Sequence, residues 1–416
     1  MFLYYILVAV SPMPNHPWFE EPVAGMTVVK WLGIICCCYA AYRMLKNRRL
    51  PALFGSWEAR CFLILFGIVT LSYFTASNTA GLTFSPMASF VSYVLLFFTT
   101  LCVVNTYERL HNALLASIAG AALASLYVIR EYQASGGTNM RPGYIAGDSN
   151  YFATCTLLVM PLAVYFAQVK SHRLLRWGCA ISLLLMLVAF TLASSRGGLI
   201  GLCVTIGYMI VTSSHSRKKA ILIAVLVMPM FLFSPASPLA RILHPDFGDD
   251  LGAQVRRDFW RLGFDMIRNH PVTGIGLGNF TAQSFSTTPG AEDKHGLACN
   301  TFLELTAELG FPGLLAYCGI VAGALYSSGR LRREGQRRKD MLLQHTGQAL
   351  QAGLLGFSAA AIFVSAQYQK PFWVMVALTA TVPRLLQQKS QKQKRQEPVA
   401  TAPPLQYAAG NVQALL

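Results

Sequence analysis

Apolar runs separated by short polar breaks occupy almost the whole chain. They lie near 2–13, 23–45, 60–77, 86–105, 112–131, 150–169, 174–193, 197–213, 220–236, 300–326, 345–366 and 371–386. Most approach the roughly 20 residues that an α-helix needs to cross a bilayer. Helices satisfy their own backbone groups in lipid, and no barrel-strand alternation is present, so the pattern predicts an all-α polytopic membrane protein of about 12 transmembrane helices. The membrane domain is expected over residues 1–390, with one large external loop at about 237–299. The run at 2–13 is short for a span and lacks a basic leader and a small-residue cleavage site, so it reads as an uncleaved first helix.

The polar breaks orient these spans. Alternation from Lys46, Arg48 and Arg49 places Lys170, Arg173 and Arg176 on the same side, followed by Arg217, Lys218 and Lys219. The cluster Arg330, Arg332, Arg333, Arg337, Arg338 and Lys339 falls there too, as does the tail with Lys389, Lys392, Lys394 and Arg395. Basic short loops mark the cytoplasmic face, so both termini are expected in the cytoplasm. Residues 391–416, with Pro398, Pro403 and Pro404, are expected to form a disordered cytoplasmic tail.

Composition agrees with this pattern. Hydrophobic residues make up 54% and charged residues only 12%, about half the share of a soluble domain. The formal charge of +16 would suggest nucleic acid in a soluble protein. Its division among short loops instead points to the lipid bilayer as partner and to no nucleic acid. Nine of the ten cysteines lie inside apolar runs and read as small buried hydrophobes; Cys299 is the exception.

Three segments fall on the external side: the loop 136–150, the turn Ser194-Ser195-Arg196-Gly197-Gly198, and the long segment from about 237 to 299. Within the last, 254–269 reads as an amphipathic helix, with Val255, Phe259, Leu262 and Met266 on one face and Arg257, Arg261, Asp265 and Arg268 beside it. Arg256 and Trp260 share a third face. Such a helix can lie along a membrane surface. The alternate glycines Gly274, Gly276 and Gly278 read as a tight turn. Asn300, Glu304 and Glu308, four apart, form a polar stripe down the next helix. Acidic groups there need partners, and external arginines are the natural ones. Arg141, Asp148, Asn150, Arg196, Arg256, Arg257, Asn300 and Glu304 are thus expected to gather at the outer surface, where guanidinium groups suit a phosphate or pyrophosphate. The isolated acids make no metal site, and no cofactor is expected. Plainer roles stay open: Arg196 as a snorkelling helix end, Asn300 as a helix cap, and Glu304 and Glu308 as contacts between helices.

Three stretches together resemble the O-antigen ligase and polymerase superfamily of bacterial envelope proteins. They are Arg141-Pro142-Gly143 through Asp148-Ser149-Asn150-Tyr151-Phe152-Ala153; Ser194-Ser195-Arg196-Gly197-Gly198-Leu199; and Arg256 and Trp260 through His270-Pro271, Gly274–Phe280 and Asn300-Thr301-Phe302-Leu303-Glu304 to Gly310. The resemblance implies metal-independent transfer of a glycan from a polyprenyl-pyrophosphate carrier to an acceptor hydroxyl, on the periplasmic side of the bacterial inner membrane. The acceptor stays open among a glycolipid such as a lipid A core sugar, another lipid-linked glycan, and a protein. In this reading Arg196 and Arg256 hold the pyrophosphate, helped by Arg141 and Arg257, with Asn150 and Asn300 as further substrate contacts. The family carries His immediately before the Asn at the start of the late helix. Cys299 stands there in this chain, which leaves His295, Cys299 and Glu304 as the candidate bases. A non-catalytic glycolipid-binding protein and a secondary transporter are the competing readings. The chain shows no inverted repeat of the transporter kind.

Overall fold

A computed structural model describes residues 1–16, 22–23, 26–47, 55–75, 84–137, 141–169, 173–212, 250–287 and 296–396. The expected span at 220–236, His295 and the tail beyond 396 lie outside the described residues.

The described chain is helical apart from a ladder of two residues per strand, β1 (Pro22–Val23) with β2 (Met26–Thr27). The helices are α1 (Phe2–Val10), α2 (Val28–Asn47), α3 (Trp57–Thr75), α4 (Phe84–Val103), α5 (Tyr107–Ala134), α6 (Ser149–Leu157), α7 (Met160–Val169), α8 (Arg173–Leu192) and α9 (Arg196–Thr212). After the segment 213–249 come α10 (Asp250–Asn269), α11 (Asn279–Thr287), α12 (Thr301–Arg337), α13 (Met341–Ala360) and α14 (Lys370–Gln396). Among the described residues, 7 helical stretches are long and apolar enough to cross a membrane, fewer than the twelve apolar runs suggest. They are α2 to α5, the α6–α7 pair, α8 and α12, while α9 is a shorter apolar helix. The shortfall has identifiable causes. α1 is only 9 residues long. α13 carries His345, Gln348 and Gln351, which serve the packing of helix on helix: Gln348 Nε2 donates to the Thr212 carbonyl (3.0 Å), and Tyr208 Oη donates to Gln351 Oε1 (2.6 Å). Such bonds hold interhelical contacts where lipid offers no hydrophobic drive between helices.

Two apolar runs break where the sequence carries a local reason. The run at 150–169 divides at Leu158 and Val159, and Pro161 sits at the second residue of α7, where its missing N–H costs nothing. α12 is two rods joined at Gly310, whose φ of 68° is left-handed. Pro312 follows in the first turn of the second rod. Phe311 N–H leaves the helix ladder and donates to the Pro271 carbonyl at 2.8 Å.

α12 is the centre of the bundle, packed by α13, α3, α14 and α10. Its buried wall includes Trp373, Tyr317, Phe372 and Phe357. Outward residues such as Leu71, Phe74, Leu184 and Val211 are exposed and apolar, as a lipid-facing surface requires. α6, α9, α12 and α14 all begin at one end, here the upper end. At the lower end α12 and α13 meet at Asp340, the cap of α13, whose carboxylate also accepts from Lys389 of α14 (3.2 Å). Arg384 donates there to the carbonyls of Leu101 and Val104, both at 2.8 Å.

Candidate functional site

Three helix starts meet at the upper end, and each is capped by its own side chain. Asp148 accepts from Asn150 N–H at the start of α6 (2.5 Å). Ser195 Oγ accepts from Gly198 N–H at the start of α9 (3.1 Å). Asn300 Oδ1 accepts from the N–H groups of Phe302 and Leu303 at the start of α12 (3.0 and 3.1 Å). These are the residue types that satisfy otherwise unpaired N-terminal donors. The first two caps are joined, because Ser195 Oγ donates to Asn150 Oδ1 at 2.9 Å. The two earlier motifs therefore form one hydrogen-bonded unit, in which Asn150 ties helix to helix.

The late motif is built around two buried carboxylates. Glu304 Oε2 accepts from Ala298 N–H (3.0 Å) and Ser365 Oγ (2.5 Å), and its Oε1 accepts from Gln367 Nε2 (2.5 Å). Glu308 Oε1 accepts from the N–H groups of Gly278 (2.9 Å) and Phe280 (3.3 Å), and its Oε2 from Tyr368 Oη (3.4 Å). The arginine partners expected for this stripe are not what the structure provides; the partners are backbone amides, a hydroxyl, a carboxamide and a phenol. Fixed neutral donors satisfy a buried carboxylate without the desolvation of a second ion. The glycine turn rests on the same helix: Ile275 and Gly276 N–H donate to the Ala307 and Glu308 carbonyls (2.9 and 3.0 Å). Gly274, at φ 65°, lies so close to the Glu308 carbonyl that a Cβ would collide with it.

α10 lies over this frame. Val255, Phe259 and Met266 are buried against Ile275, Phe280, Leu303 and Ala307, so the apolar face predicted from the sequence covers protein. Trp260 Nε1 donates to the Ala298 carbonyl (3.1 Å), next to Cys299. One turn before Trp260, Arg256 is half-buried, and its Nε has no hydrogen-bond partner among the described residues. Arg257 is exposed on the outer face.

Arg196 is exposed at the start of α9, while Arg141 is half-buried just before the Tyr144–Ala146 turn. The residue after Arg196, Gly197, abuts Phe363, and Thr301 at the start of α12 donates both its N–H (3.1 Å) and its Oγ1 hydroxyl (2.7 Å) to the nearby Val364 carbonyl. The connection 361–369 thus bridges the starts of α9 and α12. Cys299 is half-buried and holds φ 51°, a left-handed conformation outside glycine's usual company. Tyr151 of α6 lies within electrostatic reach of Cys299, Glu304 and Asp148, which brings the first and third motifs together. Sequence reasoning passed over Tyr151 as a site residue and missed Ser365, Gln367 and Tyr368. The polar string Ser365-Ala366-Gln367-Tyr368-Gln369-Lys370 between two apolar runs was the available signal.

No curated protein matches the chain. The Arg141–Asn150 stretch precedes a matched segment that runs from within α8 into the second rod of α12. Residues 181–318 match the family model described as O-antigen ligase, so this segment is similar to that family.

Proposed function

We propose that this protein is a glycosyltransferase of the O-antigen ligase type, acting at the upper end of the bundle on a glycan carried by a polyprenyl pyrophosphate. The observation that carries the reading is the proximity of the three motifs, the first two joined by Ser195–Asn150 and the third approached through the 361–369 connection, with Arg196 at a capped helix start and Arg256 one turn from the Trp260–Ala298 contact. Guanidinium groups on rigid helices can bind the pyrophosphate bidentately and stabilise its charge as the glycosidic C–O bond breaks. Arg141 and Arg257 are proposed as helpers. The acceptor hydroxyl attacks the anomeric carbon while a base takes its proton. Glu304, with three donors already on its carboxylate, is assigned to positioning the 298–304 turn; His295 and Cys299 remain the proposed bases. The site faces the periplasm in this proposal, with glycolipid, lipid-linked glycan and protein as the acceptor classes to be tested.

The test is transfer in reconstituted membranes with polyprenyl-pyrophosphate-linked glycan and each acceptor class, with and without a chelator. Arg196→Ala and Arg256→Ala should each lower turnover by about 10²-fold or more, the scale of losing one preorganised charge-stabilising donor. Wild-type transfer unaffected by either substitution would refute the assignment. The left-handed Cys299 in place of the family's His favours one second reading, a binder without turnover. It predicts carrier binding without transfer by the wild type, and transfer appearing in Cys299→His.

A further inference from the structure

The lower end of the bundle holds a charged cleft that takes no part in the chemistry proposed above. Its volume is about 420 Å³, and it opens between the ends of α12 and α14. Arg330, Arg333, Arg337 and Arg338 line it, with Glu334 and the buried Leu386. Arg337 and Arg338 continue into an adjoining opening of about 650 Å³ walled by Asp340 and Lys389. Arg330, Arg333 and Arg337 follow the i, i+3, i+7 spacing of one helix face.

The carboxylates of this region are already engaged. Glu334 Oε1 pairs with Arg337 Nη2 (2.8 Å) and Arg338 Nε (2.5 Å), and Asp340 Oδ2 pairs with Lys389 Nζ (3.2 Å). Arg330 and Arg333 form no ion pair among the described residues; Arg330 feels the buried Glu58 of α3 only at longer range. Compensation of the helix dipole accounts for Arg337 in the last turn of α12, but that effect fades beyond one turn and does not reach Arg330 or Arg333.

The surroundings indicate depth. Arg333 stacks over the ring of Tyr326, 5.9 Å from its centroid, and Tyr326 is exposed. Trp177, at the lower end of α8, is exposed as well. Exposed Tyr and Trp mark the headgroup layer of a bilayer. A cleft with four arginines and one carboxylate at that depth suits an anionic phospholipid, its phosphodiester held bidentately and its glycerol resting on Leu386. We propose that this cleft is a binding site for an anionic phospholipid headgroup of the leaflet opposite the glycan-transfer site.

Native mass spectrometry of the detergent-purified full chain tests this, titrating phosphatidylglycerol against phosphatidylcholine. Wild type should retain phosphatidylglycerol preferentially, and Arg330→Gln with Arg333→Gln should weaken that retention by about fivefold per arginine removed. The paired control Arg173→Gln with Arg176→Gln removes equal charge from the same end and should leave retention unchanged. Arg330→Lys with Arg333→Lys keeps the charge, and so the topology, and should show a partial loss because the planar fork is gone. Equal loss in the control pair would reduce the effect to general surface charge and overturn the site. Inorganic phosphate displacing the lipid at equal concentration would overturn the assignment to a lipid.

Discussion

Glu304 has three donors on two oxygens, each fixed by a different part of the chain: the 298 turn, Ser365 and Gln367. A carboxamide cannot replace it. Whichever way Gln at this position turns, its NH₂ confronts at least one donor, and leaving a buried donor unpaired costs about 1–3 kcal/mol. Glu304→Gln should therefore lower the unfolding midpoint of the reconstituted protein along with its activity. Transfer lost at an unchanged midpoint would instead identify Glu304 as the base. Asn300 caps α12, its Oδ1 accepting from the first two amides left free there; Asn300→Ala should cost about 1 kcal/mol, read from the same midpoint. The spacing of Asn300, Glu304 and Glu308 was legible because four residues is one helical turn. Their partners were not, because Ser365 and Gln367 sit some sixty residues away, in a short polar break between two apolar runs that nothing in the sequence ties to α12.

At the scale of elements, hydrophobic runs located the starts of the membrane-spanning helices to within about five residues, but α12 and α14 run on well past the ends of their apolar runs at 326 and 386. The breaks inside them were harder to see. Apolar content continues unchanged through Leu158 and Val159 and through Gly310, so only Pro161 and Pro312 hinted at a division. The break at Gly310 is fixed from outside the helix, by the Pro271 carbonyl that accepts from Phe311. Ala at position 310 would have to hold a left-handed φ and would press its Cβ against the Pro271 and Val272 carbonyls. The conformational part alone is about 1–3 kcal/mol, since positive φ with extended ψ is open to glycine alone. Gly310→Ala should loosen the glycine turn and α10, seen as faster hydrogen exchange across 255–280. Gly67→Ala in α3, where a Cβ meets nothing within 4 Å, is the matched control and should be neutral or mildly stabilising. Equal exchange in the two variants would mean that the kink does not hold the upper frame.

At the scale of the whole molecule, positive-inside reasoning assigns the upper end to the outside, and Cys299 offers a direct check. It is half-buried at the upper end, whereas Cys36, Cys155 and Cys179 are buried among helices. A membrane-impermeant maleimide applied to intact cells should modify Cys299 and spare those three, as mapped by peptide mass spectrometry. Modification of Cys299 only after permeabilisation would invert the proposed orientation. The three capped helix starts carry a last consequence. α6, α9 and α12 each end in roughly half a positive charge where their peptide dipoles converge, a field that no side-chain substitution removes. Such a field draws anions by diffusion before any guanidinium grips them. Capture rate and grip thus separate: the protein stripped of Arg196 and Arg256 should still meet the proposed pyrophosphate carrier at a rate that falls with ionic strength, and then let it go.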